Sequence, residues 1–241
     1  RIKALIEQGA VFVNDRAIDE PKRKVHPGDT IAIVPTARAI DQTVLQAGIA
    51  LAESWGLQVR IADGIGRKAF QQAGTAEERA ADLQAALNDP AVRAIWCARG
   101  GYGTVHLLEH LDLSAWQRDP KWVVGFSDVT VLHNAGVKEG IATLHAQMPF
   151  AIAKKTPESR ESLRAALFGE ALRYTLPFHP ATDRPGTVSA PVVGGNLSLL
   201  YALRGTPYDI DPRGKILFLE DLDELHYHLD RMVQNLKLAG W

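Results

Sequence analysis

One cysteine, Cys97, occurs in 241 residues. A lone thiol cannot build an internal disulfide framework or a four-cysteine zinc site, and it is compatible with a reducing compartment. No apolar run approaches the roughly 18 to 20 residues of a membrane span, so no membrane partner is expected. Net charge is nearly missing too, since 27 Lys and Arg against 28 Asp and Glu leave −1. With so little field of one sign, a nucleic acid or lipid partner would have to be held by a local patch. Repeats and low-complexity tracts are absent. No basic-then-apolar leader opens the chain, which points to the cytoplasm. The first residue, however, is Arg1 rather than methionine, so something upstream has been removed and a leader could have gone with it.

What is present is ordinary globular composition, 46% hydrophobic and 23% charged, long enough for one large domain or two modest ones with real cores. The texture changes near residue 35. Residues 1–34 are compact and basic, with a short helix ending at Gly9, a strand "AVFVN", a turn at Asn14-Asp15 and a second extended piece before Pro27-Gly28. From there strands alternate with helices. Ile31 to Val34 is an apolar run, Thr43 to Trp55 has helical spacing, "LQVRIAD" is β-like, and "TAEERAADLQAALNDP" is a helix capped by Thr75 with Glu77 at its third position. "AVRAIWCA" is again a strand. This alternation predicts βαβ units, a parallel sheet and right-handed crossovers, which set the loops after the strands along one ligand-binding edge.

Two such loops stand out. Arg99-Gly100-Gly101-Tyr102-Gly103 follows the "AIWCA" strand and precedes "TVHLLEHL", which carries helical spacing. Bare backbone at a helix start can turn amides toward a ligand, yet the spacing matches neither dinucleotide nor P-loop patterns. A tight turn needing positive φ explains the glycines equally well. In "KWVVGFSDVTVLHNAG" an apolar strand runs through Gly125-Phe126 into Ser127-Asp128 and a helical stretch. Ser127 there is either a nucleophile displayed on an elbow or a helix cap.

A serine nucleophile needs a base and a carboxylate to orient it. The apolar run Ile216 to Leu219 reads as a buried strand delivering Glu220 and Asp221, though carboxylates in that position are more often loop caps. His106, His110, His133, His145, His179, His226 and His228 are each better read as core or surface histidines, and no metal-ligand spacing stands out.

Taken together, "IWCARGGYGT", "VVGFSDVTVLH", "GIATLHAQMP", "VVGGNLSLL" and "ILFLEDLDE…HLDRM" occur in the order and spacing of LD-carboxypeptidases. Residues 29–241 resemble these serine peptidases, which trim D-alanine from murein tetrapeptides and are related to microcin-resistance peptidases. The resemblance implies an α/β fold. A Rossmann-like parallel-sheet domain over 29–150 carries the nucleophile, a linker spans 151–185, and 186–241 begins a second α/β domain. It implies Ser127 as nucleophile and Glu220 as triad acid. Gly101 and the Asp128 amide would form the oxyanion hole, with Gly100 and Asn196 on the substrate side. It further implies no cofactor and no metal, a murein tetrapeptide or related peptide as substrate, and peptidoglycan recycling in the cytoplasm; a homodimer stays open.

The family's triad histidine belongs to a "GH" segment well beyond the "HLDRM" helix, and none of the histidines above corresponds to it. The expectation is therefore a truncated copy, incomplete in its second domain and inactive as given. Residues 1–34 resemble the latter half of the S-four RNA-binding domain, through "LIEQGAVFVNDRAIDEPKRKVHPGDTI". That likeness implies an RNA partner at Lys3, Lys22, Arg23 and Lys24, against the plainer reading of a solvated basic hairpin. A nucleotide-binding α/β module is a further alternative.

Overall fold

The computed structural model describes residues 24–241 and, by backbone alone, residues 12–13 and 16–17. Strands β1 (Phe12–Val13) and β2 (Arg16–Ala17) form an antiparallel pair with Phe12 opposite Ala17, while the helix expected to end at Gly9 and the turn expected at Asn14-Asp15 lie outside the described residues. Lys3, Lys22 and Arg23 lie outside the described residues. Lys24 lies inside them, its stem so close over Gly169 that a Cβ there would come within 2.7 Å of Lys24 Cγ.

The main body is one parallel sheet. In chain order come β3 (Thr30–Val34), α1 (Gln42–Ser54), β4 (Gln58–Ile61), α2 (Ala76–Asn88), β5 (Val92–Cys97), α3 (Ser114–Arg118), β6 (Trp122–Gly125), α4 (Thr130–Lys138) and β7 (Leu144–His145). Across the sheet the order is β4-β3-β5-β6-β7, all parallel. Helices cover both faces, so β3 is buried at every position, the reason its sequence is apolar throughout rather than alternating. Trp96 on β5 stacks on Trp55 with ring centroids 6.4 Å apart, and its indole N–H donates to the Gln147 carbonyl at 2.8 Å. Lys121 is wholly buried just before β6, where its ammonium donates to the carbonyls of Asp89 (2.7 Å) and Val92 (3.0 Å) and to the Asp119 carboxylate (2.7 Å). Three oxygens thereby replace the water that a buried ammonium loses.

Helix α2 begins at Thr75 with a reciprocal cap: Thr75 Oγ1 accepts from the Glu78 amide while the Glu78 carboxylate accepts from the Thr75 amide. The third helical residue is thus Glu78, not Glu77, because Ala76 is the first. From β3 the chain moves outward to β4, crosses back to β5 and then proceeds the other way. The crevice beyond the carboxyl ends of β3 and β5 is therefore the topological switch point, where open α/β sheets bind ligands.

Residues 151–185 begin in a 3₁₀ turn (Pro149–Lys154) and continue with helix α5 (Pro157–Leu167), capped by Thr156, whose Leu163 and Leu167 are buried with β3 residues in the first body's core. Residues 170–191 carry no helix or strand and are largely exposed apart from a turn near 180. A smaller body follows: β8 (Val192–Asn196), α6 (Leu197–Ala202), β9 (Ile216–Glu220) and α7 (His226–Leu238), with β8 parallel to β9. The expectation of a buried strand at 216–219 is overturned, since Phe218 is 42% and Leu219 38% exposed. Among the described residues β9 has only β8 beside it, and an apolar strand is buried only where neighbours cover its faces.

Candidate functional site

Strand β6 ends at Gly125, Phe126 remains extended, and Ser127 then adopts φ 60. Left-handed backbone costs an L-residue roughly 1–2 kcal/mol, and here it turns strand into helix within one residue. The Ser127 side chain is consequently thrown out at the sheet edge, half-buried. The capping alternative does not hold, because Phe126 occupies the cap position and Ser127 Oγ makes no hydrogen bond among the described residues. The first bond of the turn runs from the Val129 amide to the Phe126 carbonyl at 3.2 Å. The Ser127 and Asp128 amides lie ahead of it, among the unclaimed donors of a helix start.

The glycine loop after β5 is laid against this elbow. A Cβ on Gly100 would stand 3.6 Å from Ser127 Cβ and 3.7 Å from Asp128 Cβ. Gly101 has φ 124, a conformation that requires glycine, and a Cβ there would fall 2.6 Å from Cδ of the exposed Arg38 side chain. Buried side chains lock the two turns together. Asp128 Oδ2 accepts from the Thr104 amide at 2.9 Å and from its hydroxyl at 2.6 Å. Arg79, 2% exposed, donates to the carbonyls of Thr36 at 2.5 Å and Gly103 at 2.9 Å. The helical spacing of "TVHLLEHL" yields only a 3₁₀ turn, Thr104–Leu107, and further i→i+3 bonds. Hemmed in by Gly103 at φ 122 and the turn at Asp112, the segment has no room for an α-helix.

The smaller body docks beside the elbow through β8. The Asn196 amide donates to Thr130 Oγ1 at 2.9 Å, and a Cβ on Gly195 would come 2.6 Å from that same oxygen. Asn196 itself is committed within the protein: Oδ1 caps α6 through the Leu199 amide and Nδ2 donates to Asp221. Of the two carboxylates after β9, Asp221 is the loop cap, accepting from the Ser198 amide and hydroxyl, the Asn196 amide group and the Leu222 amide. Glu220 is different. Its Oε1 is buried without a hydrogen-bond partner and lies 3.8 Å from His145 Nε2. Burial, aided by the Asp221 charge and opposed by the Asn196 amide, raises its pKa above the usual carboxylate range.

His145 is the residue that the sequence reading passed over. It ends β7 directly opposite Gly125 in register, two residues before Ser127, with the Phe126 and Phe218 rings 6.2 and 5.0 Å from its own. Its one sequence signal is that, like Arg99 and Ser127, it stands at the end of an apolar strand. Burial lowers its pKa. His133 lies behind it, donating Nε2–H to the Gly125 carbonyl at 2.9 Å and accepting from the Thr143 hydroxyl at 2.8 Å. Burial, then the neighbouring His145, push His133 down to about 4.

The assembled parts are a hydroxyl on a strained turn, amides beside it, and a carboxylate with an imidazole alongside. That is the equipment of acyl transfer: a nucleophile, donors for a developing oxyanion and groups that handle a proton. Among the described residues no group of three or more His, Cys, Asp or Glu side chains could hold a metal ion, and no helix is long and apolar enough to cross a membrane.

Comparison with known proteins bears on the same residues. Residues 31–146 match the LD-carboxypeptidase N-terminal domain, residues 189–241 the LD-carboxypeptidase C-terminal domain, and residues 1–31 the S4 domain. A probable murein peptide carboxypeptidase of Bacillus subtilis is 35% identical over 90% of this chain and 70% of its own length. The murein tetrapeptide carboxypeptidase of Pseudomonas aeruginosa is 31% identical over 86% of this chain and 70% of its own. The crystal structure of a muramoyltetrapeptide carboxypeptidase from Oxalobacter formigenes superposes with a TM-score of 0.75 at 28% identity, over 88% of this chain and 72% of that one. MccF in complex with glutamyl sulfamoyl guanosine shares the fold, with a TM-score of 0.77 at 24% identity over 90% of this chain and 75% of its own.

Proposed function

The chain belongs to the LD-carboxypeptidase family, and from that premise we propose that it is a serine-type peptidase of cytoplasmic peptidoglycan recycling. Its substrate is the murein tetrapeptide L-Ala-γ-D-Glu-meso-diaminopimelate-D-Ala, from which it releases the terminal D-alanine. The observation that carries this reading is Ser127 at φ 60 with Gly100 laid against it and the Asp128 amide ahead of the first helical bond. Ser127 Oγ attacks the diaminopimelate carbonyl as its proton passes to a base. The resulting oxyanion is held by the Gly101 and Asp128 N–H groups. The C–N bond then breaks, D-alanine leaves with the proton, and water hydrolyses the acyl ester to restore Ser127. Glu220 orients the imidazole that carries the proton, and its partnerless Oε1 supports that role.

The family's base histidine has no counterpart among these 241 residues. Without a base a serine hydroxyl is a poor nucleophile, and loss of the histidine costs a serine peptidase on the order of 10⁶ in turnover. We therefore expect the 241-residue polypeptide by itself to bind tetrapeptide weakly and to cleave it almost undetectably. The test is D-alanine release by this polypeptide and by one extended with the family's following segment, each against its Ser127→Ala form. Ser127-dependent release by the extended form is the expected result, and its absence would sink the reading. Robust Ser127-dependent release by the short form would instead move the base to a histidine of its own, with His145 beside Glu220 as the candidate.

A second reading, RNA binding through the first segment, is favoured by the S4 match over residues 1–31. It predicts retention on a polyanion column with a steep salt dependence, lost when Lys22, Arg23 and Lys24 are replaced together by Gln.

A further inference from the structure

The switch-point crevice continues past the glycine loop into a pocket of about 420 Å³ lined by Arg38, Asp41, Lys68, Gln71 and Arg99 among others. Three cations face one carboxylate there. They come from three loops, after β3, β4 and β5, that only the sheet order brings together. The pocket adjoins the elbow, since Arg38 lies over Gly101 and the next residue, Gly100, lies against Ser127.

Its walls are fixed by backbone bonds between loops. The Ala39 amide donates to the Gln71 carbonyl at 2.9 Å, the Ala73 amide to Ala37 at 3.0 Å and the Gly66 amide to Ile40 at 3.0 Å. Such bracing fixes the loops that carry the charges, while the Arg38 and Lys68 side chains themselves are exposed and Arg99 is half-buried.

The cations are also unspent. Arg60, Arg164, Arg204 and Arg213 all sit in ion pairs with carboxylates, whereas Arg38, Lys68 and Arg99 make none among the described residues. Arg38 donates only to the neutral Gln71 side chain, at 2.9 Å. Arg99 stacks on the Phe150 ring at 5.3 Å, and its buried Nε has no partner. A buried donor left unmatched is costly, and an incoming carboxylate would satisfy it.

We infer that this pocket is an anion subsite that grips a carboxylate of the substrate peptide and so aligns the scissile bond over Ser127. The inference rests on the peptidase reading and deepens it. The tetrapeptide has three free carboxylates, on the terminal D-alanine, on the α-carbon of the γ-linked D-glutamate and on the D centre of meso-diaminopimelate, and each offers the planar, bidentate acceptor that guanidinium groups recognise.

The experiment is calorimetric binding to the Ser127→Ala variant of the extended polypeptide, which binds without turnover, using the tetrapeptide and three single amides of it, at D-alanine, at D-glutamate and at the free diaminopimelate carboxyl. One of the three amides should bind about tenfold more weakly than the acid, the loss expected for a charge-assisted contact, and which one it is identifies the source. Adding Arg38→Gln and Lys68→Gln should weaken the acid by about the same factor and leave that amide unchanged. Arg38→Lys with Lys68→Arg, which keeps the charge, should retain most of the discrimination and controls for folding. Equal weakening of acid and amides by the Gln pair, or no preference for the acid in the first place, overturns the inference. If none of the four peptides binds, the peptidase reading has failed and inorganic phosphate decides the pocket. Phosphate should then raise the melting temperature of the Ser127→Ala chain but not that of the Gln pair, and equal responses overturn the subsite.

Discussion

Strands β3 and β9 have similar apolar sequences, TIAIV and ILFLE, yet β3 is buried at all five positions and β9 at none. The difference lies in what surrounds them. In the larger body, helices lie on both faces and Trp96, Leu132 and their neighbours fill the space between. The smaller body has two clusters of three buried residues each, Val193 with Leu200 and Ile210, and Leu197 with Met232 and Leu236. The candidate site straddles this divide. Ser127, Gly101 and Asp128 stand on the well-packed side, and Glu220 comes from the sparse one to lie 3.8 Å from His145. Substitutions on the two sides should therefore differ in size and in kind.

The largest contrast is in turnover. If the extended form releases D-alanine as proposed, Ser127→Ala should reduce that release by about 10⁶ and Glu220→Gln by about 10⁴, the pattern of a nucleophile and its orienting acid. Comparable losses would mean that Glu220 does more than orient. Next comes packing. Leu132→Ala in the larger body should cost about 4 kcal/mol in urea unfolding, and Leu200→Ala in the smaller about 2 kcal/mol, because a thinly packed site can collapse around the void. The reverse order would show that the smaller body is the tighter of the two.

A third contrast is pH. His133 has its pKa pushed from 6.5 down to about 4 by burial, so between those values the unfolded chain binds a proton that the folded one refuses. Stability from this group is full above pH 6.5 and is lost as pH falls toward 4, by about 3 kcal/mol in all. Urea midpoints of His133→Gln should fall less steeply than the parent's across that window, and parallel curves would remove His133 from the account. The smallest effect belongs to the α2 cap, where Thr75→Ala should cost about 1 kcal/mol.

How far the sequence could be read follows the same divide. The sheet, the Ser127 turn and the glycine loop were legible because strand, turn and helix start are contiguous, and local chemistry suffices to predict them. The pairing of His145 with Glu220 was not, since the two are 75 positions apart and stand on separate sheets, and nothing local to "TLH" marks the encounter. Arg38, Lys68 and Arg99 were opaque for the same reason. Strand β9 was misread as buried because apolar composition reports what a strand could bury, not what is there to cover it. The cap of α2 was found but miscounted by one residue, for the box closes on the third residue after the cap.

The backbone of Ser127 carries a consequence of another kind. A left-handed residue is happier as glycine, so Ser127→Gly should make the protein more stable by about 1 kcal/mol while removing its only hydroxyl at the elbow. Folding and chemistry thus vote against each other at one codon. A lineage released from selection for activity would be drawn toward glycine there by stability alone. Persistence of serine at this turn, in copies of the gene that have been free to drift, would be the trace of a chemistry still in use.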